Sequence, residues 1–210
     1  MGLSNTIFRV LFFIVISIVV VTVAIGVLGY HGQRDFHTGN ELPTEEMLIR
    51  NARTLIGTPY DPFMGMHGNI GAKLGFVVCS DVPNIAYGLS GYSLRQALKR
   101  DYSINPSAYD SNNGNNPRNP YFHRRARNLY AYFRSTGRLM PASHKPSIGD
   151  LAFYRKSLKS NVAHVALVST VTSDGYKIIE SAPKTVVVQE VSNTSPIERG
   201  WILSGFGNVY

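Results

Sequence analysis

The chain contains one cysteine, Cys79, in the string Val78-Cys79-Ser80-Asp81, directly before an apolar run from Val82 to Tyr87 that Gly88 closes. A thiol in the first turn of a helix is drawn toward its thiolate by the unpaired amides there, and a neighbouring imidazole acts in the same sense, so such a cysteine can serve as a nucleophile. Pro83 fits this placement, because the first turn of a helix makes no use of the N–H that proline lacks. A lone cysteine is equally a small buried apolar group, and the thiol by itself decides nothing. The deciding partner would be an imidazole. His164 stands inside the apolar run from Val162 to Val168, where a ring with two nitrogens costs desolvation unless it is hydrogen-bonded. A histidine satisfied within the core is the alternative. A third polar group has to orient the ring, and Glu180 sits in another apolar strand, Tyr176 to Ser181, joined to the first through Ser173-Asp174-Gly175. Hairpin pairing sets the two side chains within reach of one another. The competing placement is an edge strand with Glu180 turned to solvent.

Several elements must position these groups. Thr44-Glu45-Glu46 supplies an N-cap and an acidic first turn, and Met47, Leu48, Ala52 and Leu55 give an apolar stripe that stops before Gly57-Thr58-Pro59. A glycine-rich loop runs from Asp61 to Gly75. Between Arg100 and Pro120 the residues are mostly Asn, Ser, Pro and Gly, which predicts an exposed loop long enough to serve as a lid. A helix is expected from Phe122 to Ser135, with Leu129 and Phe133 inward, Gly137 as its stop, and Arg124, Arg125 and Arg127 near its start. The basic segment from His123 to Arg127 reads as a solvated helix face, with substrate contacts as the other possibility. From Ile148 onward the runs are β-rich: Leu151 to Tyr154, Val162 to Val171, Tyr176 to Glu180 and Thr185 to Val191. Helices first and an antiparallel sheet afterwards make an α+β domain.

The bulk properties set the frame. Of 210 residues 44% are hydrophobic and 16% charged, a balance that excludes a disordered chain. The net charge of +8 favours anionic partners such as wall polymers or acidic head groups. Residues 10–28 carry no charge and are rich in Val, Ile and Phe, long enough to cross a bilayer as one helix. Arg9 precedes this span, which orients the N-terminus inward and the remainder outside the cytoplasm, in the periplasm or at the cell surface. Cleavage of the segment as a signal, giving a secreted protein, is the alternative. Residues 31–43 read as a linker and 44–210 as one domain. The six histidines are scattered and the cysteine has no ligand partner at short spacing, so no metal or cofactor is expected. No reading motif for nucleic acid is present, and none is expected as a partner.

The ordered set Ile56-Gly57-Thr58-Pro59-Tyr60, Val78-Cys79-Ser80, Ile148-Gly149-Asp150-Leu151, His164-Val165-Ala166-Leu167-Val168 and Ile178-Ile179-Glu180-Ser181-Ala182-Pro183 resembles the NlpC-type peptidases of the papain-like clan. Val78 to Val82, Phe122 to Arg125 with Asn128-Leu129, and Trp201 to Gly207 look like a bacterial branch of uncharacterised exported domains within it. The resemblance implies a papain-like fold with helices packed on an antiparallel sheet. It implies Cys79 as nucleophile, His164 as base, Glu180 at the place of the third polar residue, and Tyr60 lining the site; apart from the resemblance, Ser80 and Asp81, close after the thiol, are the other substrate-binding candidates. The implied activity is thiol-dependent cleavage of amide bonds in cell-wall peptidoglycan. The sequence departs from the family in two places. Val78 stands where many wall peptidases carry an Asp that binds a free amine, and Glu180 stands where His, Asn or Gln is usual. Two other readings remain open: a papain-like acyltransferase or lipid-directed hydrolase, and a non-catalytic domain that binds wall polymer.

Overall fold

A computed structural model describes residues 44–64, 70–112 and 115–210. The span at 10–28 and the linker at 31–43 lie outside the described residues, and among those described no helix is long and apolar enough to cross a membrane. The helical half comes first: α1 (Glu45–Arg53), α2 (Ile70–Lys73), α3 (Asp81–Leu89), α4 (Leu94–Ile104) and α5 (Ala126–Ser135). The strands follow as β1 (Leu139–Met140), β2 (Leu151–Arg155), β3 (Val162–Thr172), β4 (Gly175–Ser181), β5 (Val188–Ser192) and β6 (Ile202–Gly207), with a short α6 (Thr194–Glu198) before the last.

Local chemistry accounts for most boundaries. The Thr44 hydroxyl accepts from the Met47 N–H at 3.3 Å, and Glu45 and Glu46 sit at the positive end of α1. Its buried stripe is Leu48, Ile49 and Ala52, so Met47, expected to face inward, is turned outward and Ile49 takes its place. Ser93 caps α4 by accepting from the Gln96 N–H at 3.2 Å, and Leu94, Ala97, Leu98 and Asp101 are buried. The predicted loop from Arg100 to Pro120 therefore begins as the last turn of a helix. Its described remainder is tied down, because the Asp101 carboxylate accepts from the Tyr109 hydroxyl at 2.5 Å and Asn115 exchanges amide hydrogen bonds of 2.8 Å with Asn128. The helix expected from Phe122 is a 3₁₀ turn, Phe122–Arg124, then an extended Arg125, and only then α5.

The six strands form one sheet in the order β1-β6-β2-β3-β4-β5, every neighbouring pair antiparallel. Alternation along the strands divides the buried residues between two faces. Leu151, Phe153, Val165, Leu167 and Ile179 join the helices in the main core, whereas Ala152, Tyr154, Ala166, Val168, Ile178 and Phe206 form a smaller cluster on the far face. β6 lies so close under α5 that a Cβ on Gly207 would stand 2.5 Å from the Phe133 ring, which is why a side chain is absent there. The expected α+β architecture is the one observed, extended by β1, α6 and β6.

Candidate active site

The His164 ring is placed by β3, where Tyr154 of β2 is its register partner. The β3–β4 register pairs Leu167 with Ile179 and Val168 with Ile178. One further step in that register sets Ala166 opposite Glu180, and His164 is its diagonal neighbour on the same face. The result is a hydrogen bond of 2.6 Å between His164 Nε2 and Glu180 Oε2, with both side chains buried. The second Glu180 oxygen accepts from Arg199 Nη2. Arg199 directly follows α6 and is steadied by donating from Nη1 to Ser195 Oγ at 2.9 Å. Trp201 stacks at 5.3 Å from the imidazole and Tyr154 lies 5.7 Å away, leaving His164 2% exposed. With Nε2 engaged by the carboxylate, Nδ1 is the nitrogen free to serve the thiol.

Electrostatics favour a charged ring. Burial alone would depress the His164 pKa, but hydrogen bonding and charge from Cys79 and then Glu180 more than offset it and push it up to about 9. Burial would likewise raise the Glu180 carboxyl, yet the hydrogen bonds and charges of His164 and Arg199 hold it below the usual carboxylate range. An imidazolium therefore sits beside the sulfur with an anion behind it.

Cys79 is half-buried in the turn that precedes α3, rather than in the helix's first turn as expected. That turn is closed by Asp81 N–H donating to the Val78 carbonyl at 3.0 Å, and by Val78 N–H donating to Asp81 Oδ2 at 2.8 Å. The Asp81 carboxylate also receives Arg124, from Nε at 2.9 Å and from Nη2 at 2.6 Å, while Nη2 reaches Asp61 at 3.0 Å. These three side chains are almost wholly buried. Two carboxylates more than offset burial and raise the pKa of the guanidinium they share. Asp61 is held in turn by the Phe63 N–H at 2.9 Å, and Gly71 packs so tightly on it that a Cβ there would lie 2.1 Å from Asp61 Oδ1. A buried ion cluster thus fixes the turn carrying the thiol.

A cleft of about 380 Å³ brings Cys79, His164, Tyr60, Trp201, Arg125 and Arg127 together. Tyr60 lines it as expected, its hydroxyl pKa raised by burial and by Cys79. Ser80 and Asp81 do not line it: both are buried, Asp81 is engaged by Arg124 and the Val78 amide, and the Ser80 carbonyl accepts from the Asn84 amide at 2.7 Å. The expectation that they contact substrate is corrected accordingly. The basic segment is not a uniformly solvated face either, since His123 and Arg124 are 6% and 4% exposed. Arg199 is a site residue that no motif in the sequence marks. The only signal for it was indirect, because a buried carboxylate that spends one oxygen on a histidine still needs a donor for the other.

A family model described as "Domain of unknown function (DUF1287)" matches residues 65–196, which include Cys79, His164 and Glu180 and end before Arg199 and Trp201. No curated protein matches the chain. Among solved structures, NlpC1 from Trichomonas vaginalis is similar with a TM-score of 0.50 and 14% identity, over 84% of this chain and 48% of its own. An NlpC/P60 family protein from Bacillus cereus ATCC 10987 is similar with a TM-score of 0.48 and 19% identity, over 80% of this chain and 41% of its own. The chain spans less than half the length of either. The likeness to the Trichomonas protein, with the helices and antiparallel sheet described above, gives an NlpC-type papain-like fold.

Proposed function

The chain belongs to the family described as "Domain of unknown function (DUF1287)", and we propose that this member is a cysteine amidase or peptidase acting on cell-wall peptides outside the cytoplasm. The observation that carries the reading is the meeting of Cys79 and His164 in one cleft, with Glu180 buried behind the ring and an imidazole whose pKa is raised by both of its neighbours. In the proposed reaction the Cys79 thiolate attacks the carbonyl carbon of an amide, and the oxyanion is held by the Cys79 N–H, which has no backbone acceptor among the described residues. The His164 imidazolium gives its Nδ1 proton to the leaving amine, and a thioester remains on Cys79. Water then adds to the thioester with neutral His164 taking its proton, releasing the acid and restoring the thiolate–imidazolium pair. Glu180 orients the ring through Nε2, and Arg199 orients Glu180.

The wall substrate rests on the outside location proposed from the apolar segment 10–28 and on the net charge of +8. The test compares Cys79→Ala and His164→Ala with the parent protein on purified wall fragments. Loss of fragment cleavage in both variants is expected. Undiminished cleavage by either variant would overturn the proposal.

A further inference from the structure

The cations around the cleft differ in how their charge is met. Arg124 is embraced by Asp61 and Asp81, and Arg199 is bound to Glu180. Arg125 has no carboxylate partner among the described residues. Its guanidinium lies 5.0 Å from the Tyr121 ring centre, and its buried Nε has no hydrogen-bond acceptor. Arg127 gives one nitrogen, Nη1, to Asp110 at 3.1 Å, while its buried Nε and Nη2 have no acceptor. Burial and then the charge of Arg127 both depress the pKa of Arg125, so the two guanidiniums stand close enough to repel. Arg125 is also the extended residue before α5, whose start carries no side-chain cap, and Arg125, Ala126 and Arg127 all face the cleft that holds Cys79 and His164. Donors buried without acceptors, on two like charges, are a standing cost that an arriving anion would relieve.

We infer that Arg125 and Arg127 form a carboxylate-recognition subsite beside Cys79, selecting acidic peptides whose side-chain or terminal carboxylate flanks the scissile amide. The inference rests on the catalytic reading above and deepens it by naming a substrate class. A guanidinium fork matches a planar carboxylate better than a lysine ammonium would, and a phosphate offers related chemistry.

The test uses Cys79 as the reporter. Alkylation of the full chain is timed with iodoacetate and with iodoacetamide, reagents that differ mainly in a carboxylate, and the ratio of the two rates is compared between the parent protein, Arg125→Gln, Arg127→Gln and the double variant carrying both. In the parent the ratio should exceed that of a free thiol, fall roughly tenfold in the double variant, and shrink as salt is raised. Glutarate should protect the parent from iodoacetate, a readout independent of how well the variants fold, and inorganic phosphate should protect less. A ratio unchanged by both substitutions, with no protection by glutarate, overturns the subsite while leaving the catalytic reading intact. Protection by phosphate without protection by glutarate overturns the carboxylate assignment. If iodoacetamide itself reacts no faster than with a free thiol, the catalytic reading fails and the subsite fails with it.

Discussion

Replacing Glu180 by Gln removes one of the two groups that keep the His164 ring charged while preserving the size of the side chain and one acceptor oxygen. In the parent protein Cys79 and Glu180 outweigh burial and push the ring's pKa up from 6.5 to about 9. A difference of that size corresponds to roughly 3 kcal/mol in favour of the imidazolium, and burial of the ring at 2% exposure spares it from solvent screening. The sign follows from the raised value. The contribution is fully present below pH 6.5, declines as the pH rises, and is gone once the pH passes 9. Removing the anion leaves Cys79 as the only group that raises the ring, so the titration of His164 should move down by a unit or more. Two measurements check this. The His164 ring carbon signals followed by NMR across pH 5 to 11, assigned with His164→Ala, should show the lower midpoint. Urea unfolding of the parent should lose more stability between pH 6 and pH 10 than unfolding of Glu180→Gln does, other titrating groups being common to both. Equal midpoints and equal losses would refute the role given to Glu180.

Arg124→Leu strands two buried carboxylates, and since Val78 and Phe63 amides still serve them, a loss of about 3 kcal/mol is expected in urea unfolding; a change under about 1 kcal/mol would mean the cluster contributes little. Gly207→Ala drives a methyl toward the Phe133 ring at 2.5 Å, so a destabilisation of about 1–3 kcal/mol is expected from the same measurement, and a neutral result would mean that α5 can shift off the sheet at little cost.

The meeting of His164 and Glu180 was legible because both sit at even spacing in apolar strands joined by a tight turn, and strand alternation then leaves few ways to arrange them. The first helix was legible because Thr44 and the acids after it mark its start in the sequence itself. The Arg124 cluster was not. Its members lie far apart in the chain, and an Asp two residues after a cysteine looks like a substrate contact until a guanidinium from another element is found behind it. The helix Leu94–Ile104 did carry a cap at Ser93 and an apolar stripe, but the polar residues after it drew its last turn into the predicted loop. Arg199 and β6 follow a short helix with a proline inside it, and neither periodicity nor composition marks that stretch as part of a buried site.

The sheet order has a consequence for how the chain can be cut. β6, formed almost at the carboxyl end, is an interior plank of the sheet, flanked by β1 on one side and β2 on the other. Deleting Ile202–Gly207 therefore opens the middle of the sheet rather than removing an edge strand. Without β6, β1 loses the strand it pairs with and β2 keeps only β3.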